Sequence, residues 1–255
     1  DLFFIIRFMN DLNLFKKDGF LIKENFISQK KIYKINKIVK EVISKEKKRN
    51  KDNGANGTQS YDNYHFVYNS NSSKNKEILR LNNPQNRHKV FYELSRDKKI
   101  ISIAKKLLGG TVRFHLGKLN FKLPNKKKGS EIGWHQDWAF YPHTNDDLIT
   151  VGVYLDDCYE KNGPLKIIKN SHKKKLYSHH NKENYFIGKI DTKKNKIGTN
   201  NSISITGTAG TVVFFHCRSI HGYGHNQMNS SRRLILFGYR ACHAWALIND
   251  GEPPP

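Results

Sequence analysis

His135 and Asp137 stand two residues apart in the stretch Gly133-Trp-His-Gln-Asp137. On a β-strand that spacing sends both side chains off one face. An imidazole and a carboxylate converging from one face form two arms of a metal site. Non-haem Fe(II) oxygenases use two His and one carboxylate on one side of the ion and leave the remaining positions open. A His-x-Asp pair by itself is also an ordinary His–carboxylate hydrogen bond, so the reading depends on a third, distal ligand.

Two histidines late in the chain offer one. Gly207-Thr-Ala-Gly210 turns into the apolar run Thr211–Phe215, and His216-Cys-Arg-Ser-Ile-His221-Gly-Tyr-Gly224 follows. A Gly turn, an apolar strand and a polar exit together deliver a His to the mouth of a sheet. Arg232-Arg233 opens a further strand, Leu234–Tyr239. An Arg entering a sheet interior near a metal is a natural carboxylate anchor, because guanidinium grips carboxylate as a bidentate fork. Trp138, Phe140 and Tyr141 read either as an apolar pocket wall or as core. The lone His65 and His88, and His179, His180 and Lys189, read as surface or structural groups.

The elements that must position these residues fall into two regions. In the N-terminal third, Asp11–Ile22 predicts a short helix ending near Gly19 and then an extended Phe20–Ile22. Ser28 caps a predicted helix running to about Ile43, with Ile32, Ile35, Ile38, Val39 and Val42 on its apolar face. Residues 44–60 read as a loop or disordered insert rich in Lys, Asn and Gly. Tyr61–Tyr68 reads as a strand and Asn69–Lys76 as a polar loop. Val90–Leu94 and Lys99–Leu108 read as helices, with Gly109-Gly110 as the stop.

From Thr111 the pattern changes to strands: Thr111–Leu116, Lys118–Leu123, Glu131–Asp137, Leu148–Leu155, and Leu165–Ile168 after the Asn162-Gly163-Pro164 turn. Asn125–Ser130 is a loop. Lys173–Asn200 is a long basic excursion, read as a lid or an insertion. The expected fold is mostly β, a double-sheet jelly roll with packed N-terminal helices and a core at about 111–240.

Composition sets the outer limits. The chain has 255 residues, 37% of them hydrophobic, with 15 Phe and 12 Tyr, enough for a substantial core. A net charge of +23 raises nucleic acid as a partner, but the Lys excess is spread through connecting segments. No basic–aromatic repeat or recognition-helix motif accompanies it. Three cysteines without close spacing argue against a disulfide framework and suit a reducing compartment, so the expected location is intracellular, the cytoplasm first. Leu2–Phe8 is too short to span a bilayer and lacks the marks of a secretory signal. The sequence starts at Asp1 with its first Met at Met9, and is read as a fragment or as extended upstream; the end at Pro253–Pro255 is read as artificial.

Taken in order, these residues resemble the phytanoyl-CoA dioxygenase family of iron- and 2-oxoglutarate-dependent oxygenases. The resemblance rests on Trp134-His135-Gln136-Asp137, on Asn162-Gly163-Pro164-Leu165 with Ser171-His172-Lys173, and on Gly210–His216. It also rests on Ile220-His221-Gly222-Tyr-Gly224 and Arg232, and Phe15-Lys-Lys-Asp-Gly-Phe20 looks like the family's opening. It covers roughly Phe15 to Tyr239 and implies one domain over 1–255 with a double-stranded β-helix core.

The resemblance implies a facial triad of His135, Asp137 and His221, with His216 a supporting residue instead of a ligand. Arg232 is the implied partner of the distal carboxylate of 2-oxoglutarate; Arg233, facing the other way on a strand, is not. Lys122, before Leu123-Pro124, and Gln136, Trp138 and Thr150 are further implied pocket or co-substrate contacts. Relatives carry Pro-Gly-Ser-His where this chain has Lys169-Asn170-Ser171-His172, a departure in the turn that removes no ligand.

The implied reaction consumes 2-oxoglutarate and O₂, releases succinate and CO₂, and hydroxylates a small organic or acyl-CoA substrate. Retention of Asp137, which related halogenases replace by a small residue, points to hydroxylation. Two rival readings are a catalytically silent metal-binding jelly roll and a basic nucleic-acid-binding protein. The sequence leaves the substrate and the oligomeric state open.

Overall fold

Leu148–Tyr154 carries apolar or small residues on both faces, and it is buried along its whole length. The cause is a sheet covered on both sides. A computed structural model describes residues 2–52, 66–68, 78–124 and 132–247. Among them are helices α1 (Leu2–Asp18), α2 (Gln29–Asp52), α3 (Lys89–Ser95) and α4 (Lys98–Leu107). The strands are β1 (Phe20–Lys23), β2 (Phe66–Tyr68), β3 (Ile78–Asn82), β4 (Val112–Lys122), β5 (Ile132–His135) and β6 (Leu148–Tyr154). They continue with β7 (Leu165–Ile168), β8 (Ser202–Ile205), β9 (Val212–His216), β10 (His221–Tyr223) and β11 (Arg232–Ala241).

The strands form two antiparallel sheets, ordered β1-β9-β6-β11-β4-β3-β2 and β5-β10-β7-β8. Side chains alternate across the large sheet with period two. Ile149, Val151, Val153, Val212, Phe214, Ile235 and Phe237 pack with Ile32, Ile35, Val39, Phe91 and Ile100 of the helices. The opposite face sends Tyr154, Val213, Phe215, Leu234 and Leu236 toward Leu165, Ile167, Ile205 and Tyr223 of the small sheet. Thr150 and Arg232 share the parity of this second set, so both enter the space between the sheets. The expected double-stranded β-helix with packed N-terminal helices is the fold observed.

Some boundaries differ from the sequence reading. α2 runs on to Asp52 instead of stopping near Ile43. Its last turns are rich in Lys, Glu and Arg, residues of good helix propensity. The remainder of the predicted insert, residues 53–60, lies outside the described residues. So do 61–65 of the first predicted strand, the loops 69–76 and 125–130, His65 and Pro253–Pro255.

Thr111–Leu116 and Lys118–Leu123 are one continuous strand, β4. Gly117 does not break it; a Cβ there would collide with the Gln85 side chain, so glycine serves close packing. Cys158, Cys217 and Cys242 are free thiols. Among the described residues no helix is long and apolar enough to cross a membrane.

Candidate active site

β5 ends at His135, and Asp137 begins a 3₁₀ turn, Asp137–Ala139, instead of continuing the strand. Gln136 between them is still extended (φ −117°, ψ 126°), so the two side chains leave together although the ladder has stopped. His221 opens β10 and sits opposite His135 in register. Close approach of the two strands needs Gly222, where a Cβ would lie 3.0 Å from the carbonyl oxygen of Ile132. The result is a cluster of His135, Asp137 and His221 whose ligand atoms all lie within 4.8 Å of one another.

The two imidazoles are set for metal binding by their outer nitrogens. His135 Nδ1 is 2.8 Å from the Gly133 carbonyl, and His221 Nδ1 is 2.9 Å from the Ser219 carbonyl. A carbonyl only accepts, so each Nδ1 carries the proton and each Nε2 keeps its lone pair. Both Nε2 atoms face Asp137 Oδ1 at 3.6 Å. Thr150 Oγ1 donates to the other carboxylate oxygen, Oδ2, at 2.6 Å.

Burial alone would raise the Asp137 pKa, but His221, His135 and Lys118 hold the carboxyl well below the usual range. Burial, with His135 beside it, pushes the His221 imidazole down to about 4. A neutral imidazole and an ionised carboxylate are the forms that ligate a divalent ion. Two His and one carboxylate gathered in this way suit Fe(II) in an oxygenase.

One strand period beyond His221, Tyr223 faces the same interior, and β10 pairs β7 in unbroken register there. The Tyr223 ring centroid lies 5.7 Å from the Arg232 guanidinium carbon. Arg232 is 2% exposed. It donates to the Gly163 carbonyl, yet its Nε and the Tyr223 hydroxyl have no hydrogen-bond partner. Among the described residues no carboxylate pairs with it. A buried guanidinium without a counter-ion is strongly unfavourable, so this slot fits an anionic group such as the distal carboxylate of 2-oxoglutarate. Lys122 pairs with Arg232 in register across β4 and β11. Its ammonium lies 5.2 Å from the Tyr223 ring centroid, at the same end of the site. Arg233 points outward and forks onto Asp156.

Three sequence-predicted contacts are engaged by groups of the protein itself. Gln136 is fully buried, and its amide is committed elsewhere. It donates to the carbonyls of Lys175 (3.3 Å) and Arg218 (3.0 Å) and accepts from the Tyr177 N–H (2.9 Å). It therefore ties the 173–200 excursion to the site wall. Thr150 holds Asp137, which uses the hydroxyl proton expected for the co-substrate. Trp138 donates to the Asn145 carbonyl at 3.3 Å and packs on Leu148, Cys217 and Ala244.

His216 lies apart from the triad, its Nδ1 accepting from the Arg218 N–H at 3.1 Å, and its ring is 5.4 Å from that of His172. The excursion covers the rim of the site. Phe186 packs edge-on against Phe140 at 5.1 Å, and Phe140 against His135 at 5.5 Å. His179 Nε2 accepts from the Gln136 N–H at 3.0 Å, a structural role.

Asn170 adopts the left-handed region (φ 61°), taking the conformation that Gly supplies in relatives, and the turn survives. Ser171 then accepts from the Ile220 N–H at 2.8 Å, fixing the residue before His221. The Gly19 carbonyl accepts from the His216 N–H and the Ser219 hydroxyl, each at 2.9 Å, so the opening Phe15–Phe20 motif braces the same loop.

The sequence reading missed Tyr223 and Lys118. Tyr223 was available as the residue two beyond the ligand. Lys118 stands in the alternation Lys118, Asn120, Lys122 against Leu119, Phe121, Leu123, which puts the polar set inside the sandwich. Its ammonium donates to the Tyr141 hydroxyl. Burial lowers its pKa to about 8, Asp137 working against the fall and Arg80 adding to it.

Comparison with known proteins agrees with this geometry. The family described as phytanoyl-CoA dioxygenase (PhyH) matches residues 15–234. A probable alpha-ketoglutarate-dependent hypophosphite dioxygenase of Stutzerimonas stutzeri is 35% identical over 237 residues, covering 92% of this chain and 79% of that protein. An L-proline trans-4-hydroxylase of Streptomyces griseoviridis is 28% identical, covering 59% of this chain and 62% of its own length. An ectoine dioxygenase of Stutzerimonas stutzeri is 29% identical, covering 60% of this chain and 55% of its own length. The chain thus spans less than two thirds of these last two relatives.

Among solved structures, EctD from S. alaskensis with bound Fe has a TM-score of 0.71 at 23% identity, over 91% of this chain and 76% of that one. The epimerase SnoN, in complex with Fe³⁺, alpha ketoglutarate and nogalamycin RO, has a TM-score of 0.73 at 15% identity, over 98% and 93%. With its triad, its carboxylate slot and its fold in agreement, the chain belongs to the phytanoyl-CoA dioxygenase family of Fe(II)- and 2-oxoglutarate-dependent oxygenases.

Proposed function

We propose that the protein is a single-domain dioxygenase that hydroxylates a small molecule. The balance is one substrate C–H or X–H, one 2-oxoglutarate and one O₂ giving one hydroxylated product, one succinate and one CO₂. The observation that carries this reading is the pairing of a complete facial triad with a buried, anion-seeking Arg232 beside Tyr223, the residue one strand period beyond His221.

The bound iron and 2-oxoglutarate supply the oxidising power. The chain's own residues do the rest. His135, Asp137 and His221 hold the ion from one side, and Thr150 orients Asp137. Arg232, Tyr223 and Lys122 receive the distal carboxylate and so fix the co-substrate's direction. Phe140 and Phe186 shield the rim from water, which limits oxidation that is not coupled to substrate. A lid held by Gln136 is suited to this shielding.

The relatives act, by their names, on hypophosphite, L-proline and ectoine. These compounds and an acyl-CoA make the test panel, and small molecules are the substrate class we favour. We place the enzyme in the cytoplasm, where its three free thiols stay reduced. The test follows succinate and product over this panel with ¹⁸O₂. The expected result is one labelled oxygen in succinate and one in the product; formation of succinate without iron would overturn the reading.

A further inference from the structure

The basic groups between the sheets exceed what the co-substrate needs. Lys122 and Arg232 oppose each other at one end of β4 and β11. Lys118 lies four residues back on β4 with the same parity, about 13 Å away along the strand at the usual rise. It stands at the other end of the site, where its ammonium is 4.6 Å from the Tyr141 ring centroid. The Tyr141 N–H in turn donates to the Asp137 carbonyl oxygen at 3.3 Å, so this end adjoins the metal ligand. Asp137 and Lys118 sense each other's charge. Arg80 on β3 sits opposite Asn120 and donates to its side-chain oxygen at 3.1 Å.

Among the described residues the hydrogen-bond partners of these two cations are neutral: a phenol for Lys118 and an amide for Arg80. A divalent iron and a doubly charged 2-oxoglutarate cancel, and Asp137 offsets one cation. Positive charge therefore remains at the end of the site away from Arg232. Lys118 is half-buried. A charge in such a place is best satisfied by an anionic ligand.

We infer that Lys118, backed by Arg80, is the docking point for the negative group of the primary substrate, which is a compact oxyanion or carboxylate. This rests on the oxygenase reading for the identity of the site. It extends that reading by assigning Lys118 to the substrate rather than to 2-oxoglutarate. Lys118 is a specificity-determining contact that sets the substrate beside Asp137.

The test is calorimetric titration of hypophosphite into the full chain loaded with Zn(II) and 2-oxoglutarate, where no turnover occurs. Wild type is compared with Lys118→Met and Lys118→Gln; the Gln variant keeps a donor for Tyr141 and guards against misfolding. Loss of one charge-assisted contact should weaken hypophosphite by roughly tenfold or more in both, with 2-oxoglutarate affinity unchanged. Equal hypophosphite affinity in wild type and the variants would overturn the inference. So would failure of wild type to bind hypophosphite or acetate, or an equal loss of 2-oxoglutarate binding in the variants. Iron-dependent succinate formation is measured separately. If it is absent while Lys118-dependent anion binding stands, the oxygenase reading fails and the anion site does not.

Discussion

Thr150 Oγ1 donates a 2.6 Å hydrogen bond to Asp137 Oδ2, the carboxylate oxygen turned away from the two imidazoles. The bond joins the large sheet to the turn that carries the acidic ligand. It leaves Oδ1 facing both Nε2 atoms. Thr150→Val keeps the shape and removes the donor. Outer contacts of this kind are worth about 10–100-fold in metal affinity. Iron titration of the Val variant should show a loss in that range, and Thr150→Ser should restore most of it. Unchanged iron affinity in Thr150→Val would mean that Asp137 is oriented by something else.

Gln136 predicts a different phenotype from a co-substrate contact. Its amide satisfies three backbone groups of the lid and its support. Gln136→Ala leaves these groups without their partner, at a cost on the order of 2–4 kcal/mol. Thermal denaturation should report that loss. Limited proteolysis should cut faster within 173–200. The KM for 2-oxoglutarate should move little compared with kcat; a selective rise in that KM would restore the sequence reading.

The adjacent arginines separate cleanly. Arg232→Lys retains charge but loses the planar fork, and Arg232→Met loses both. The KM for 2-oxoglutarate should rise about tenfold or more in the Lys variant and further in the Met variant. Arg233→Met breaks only the partly exposed Asp156 pair. Its effect on stability should be about 1 kcal/mol or less, with 2-oxoglutarate kinetics unchanged.

Acid stability should reflect His216. Burial pushes its imidazole down to about 4, with Asp146, His172, Arg218 and Asp147 as the charged surroundings. An unfolded chain protonates this group at about 6.5. The unfolded state therefore binds the extra proton first, and stability falls as pH drops from about 6.5 to about 4. His216→Asn keeps an acceptor for the Arg218 N–H and cannot be protonated. Its melting temperature should decline less than that of the wild type across this window. Parallel curves would show that other groups carry the acid sensitivity.

The strands of the sandwich and the triad were legible because their signals are local: period-two burial, His-x-Asp, and Gly after His221. The parity of Arg232 and Arg233 was legible for the same reason. The roles of Gln136 and Thr150 were not, because each depends on a tertiary partner that no local pattern announces: Lys175, Tyr177 and Arg218 for the first, Asp137 across the sandwich for the second. The continuity of β4 was hidden by Gly117, whose need is space beside Gln85, not a turn. Lys118 was missed because a lysine invites a solvated reading, and only the alternation with Leu119 and Phe121 places it inside. The end of α2 was misjudged because Lys-rich helix and Lys-rich loop share a composition.

The most direct measurement of the central claim is iron-dependent succinate formation from 2-oxoglutarate by wild type, His221→Ala and His216→Asn, each with matched iron titration. Wild type and His216→Asn should bind iron and form succinate at comparable rates, while His221→Ala should lose both. Succinate formation that survives in His221→Ala, or is lost only in His216→Asn, would contradict the assignment of the triad and the mechanism built on it.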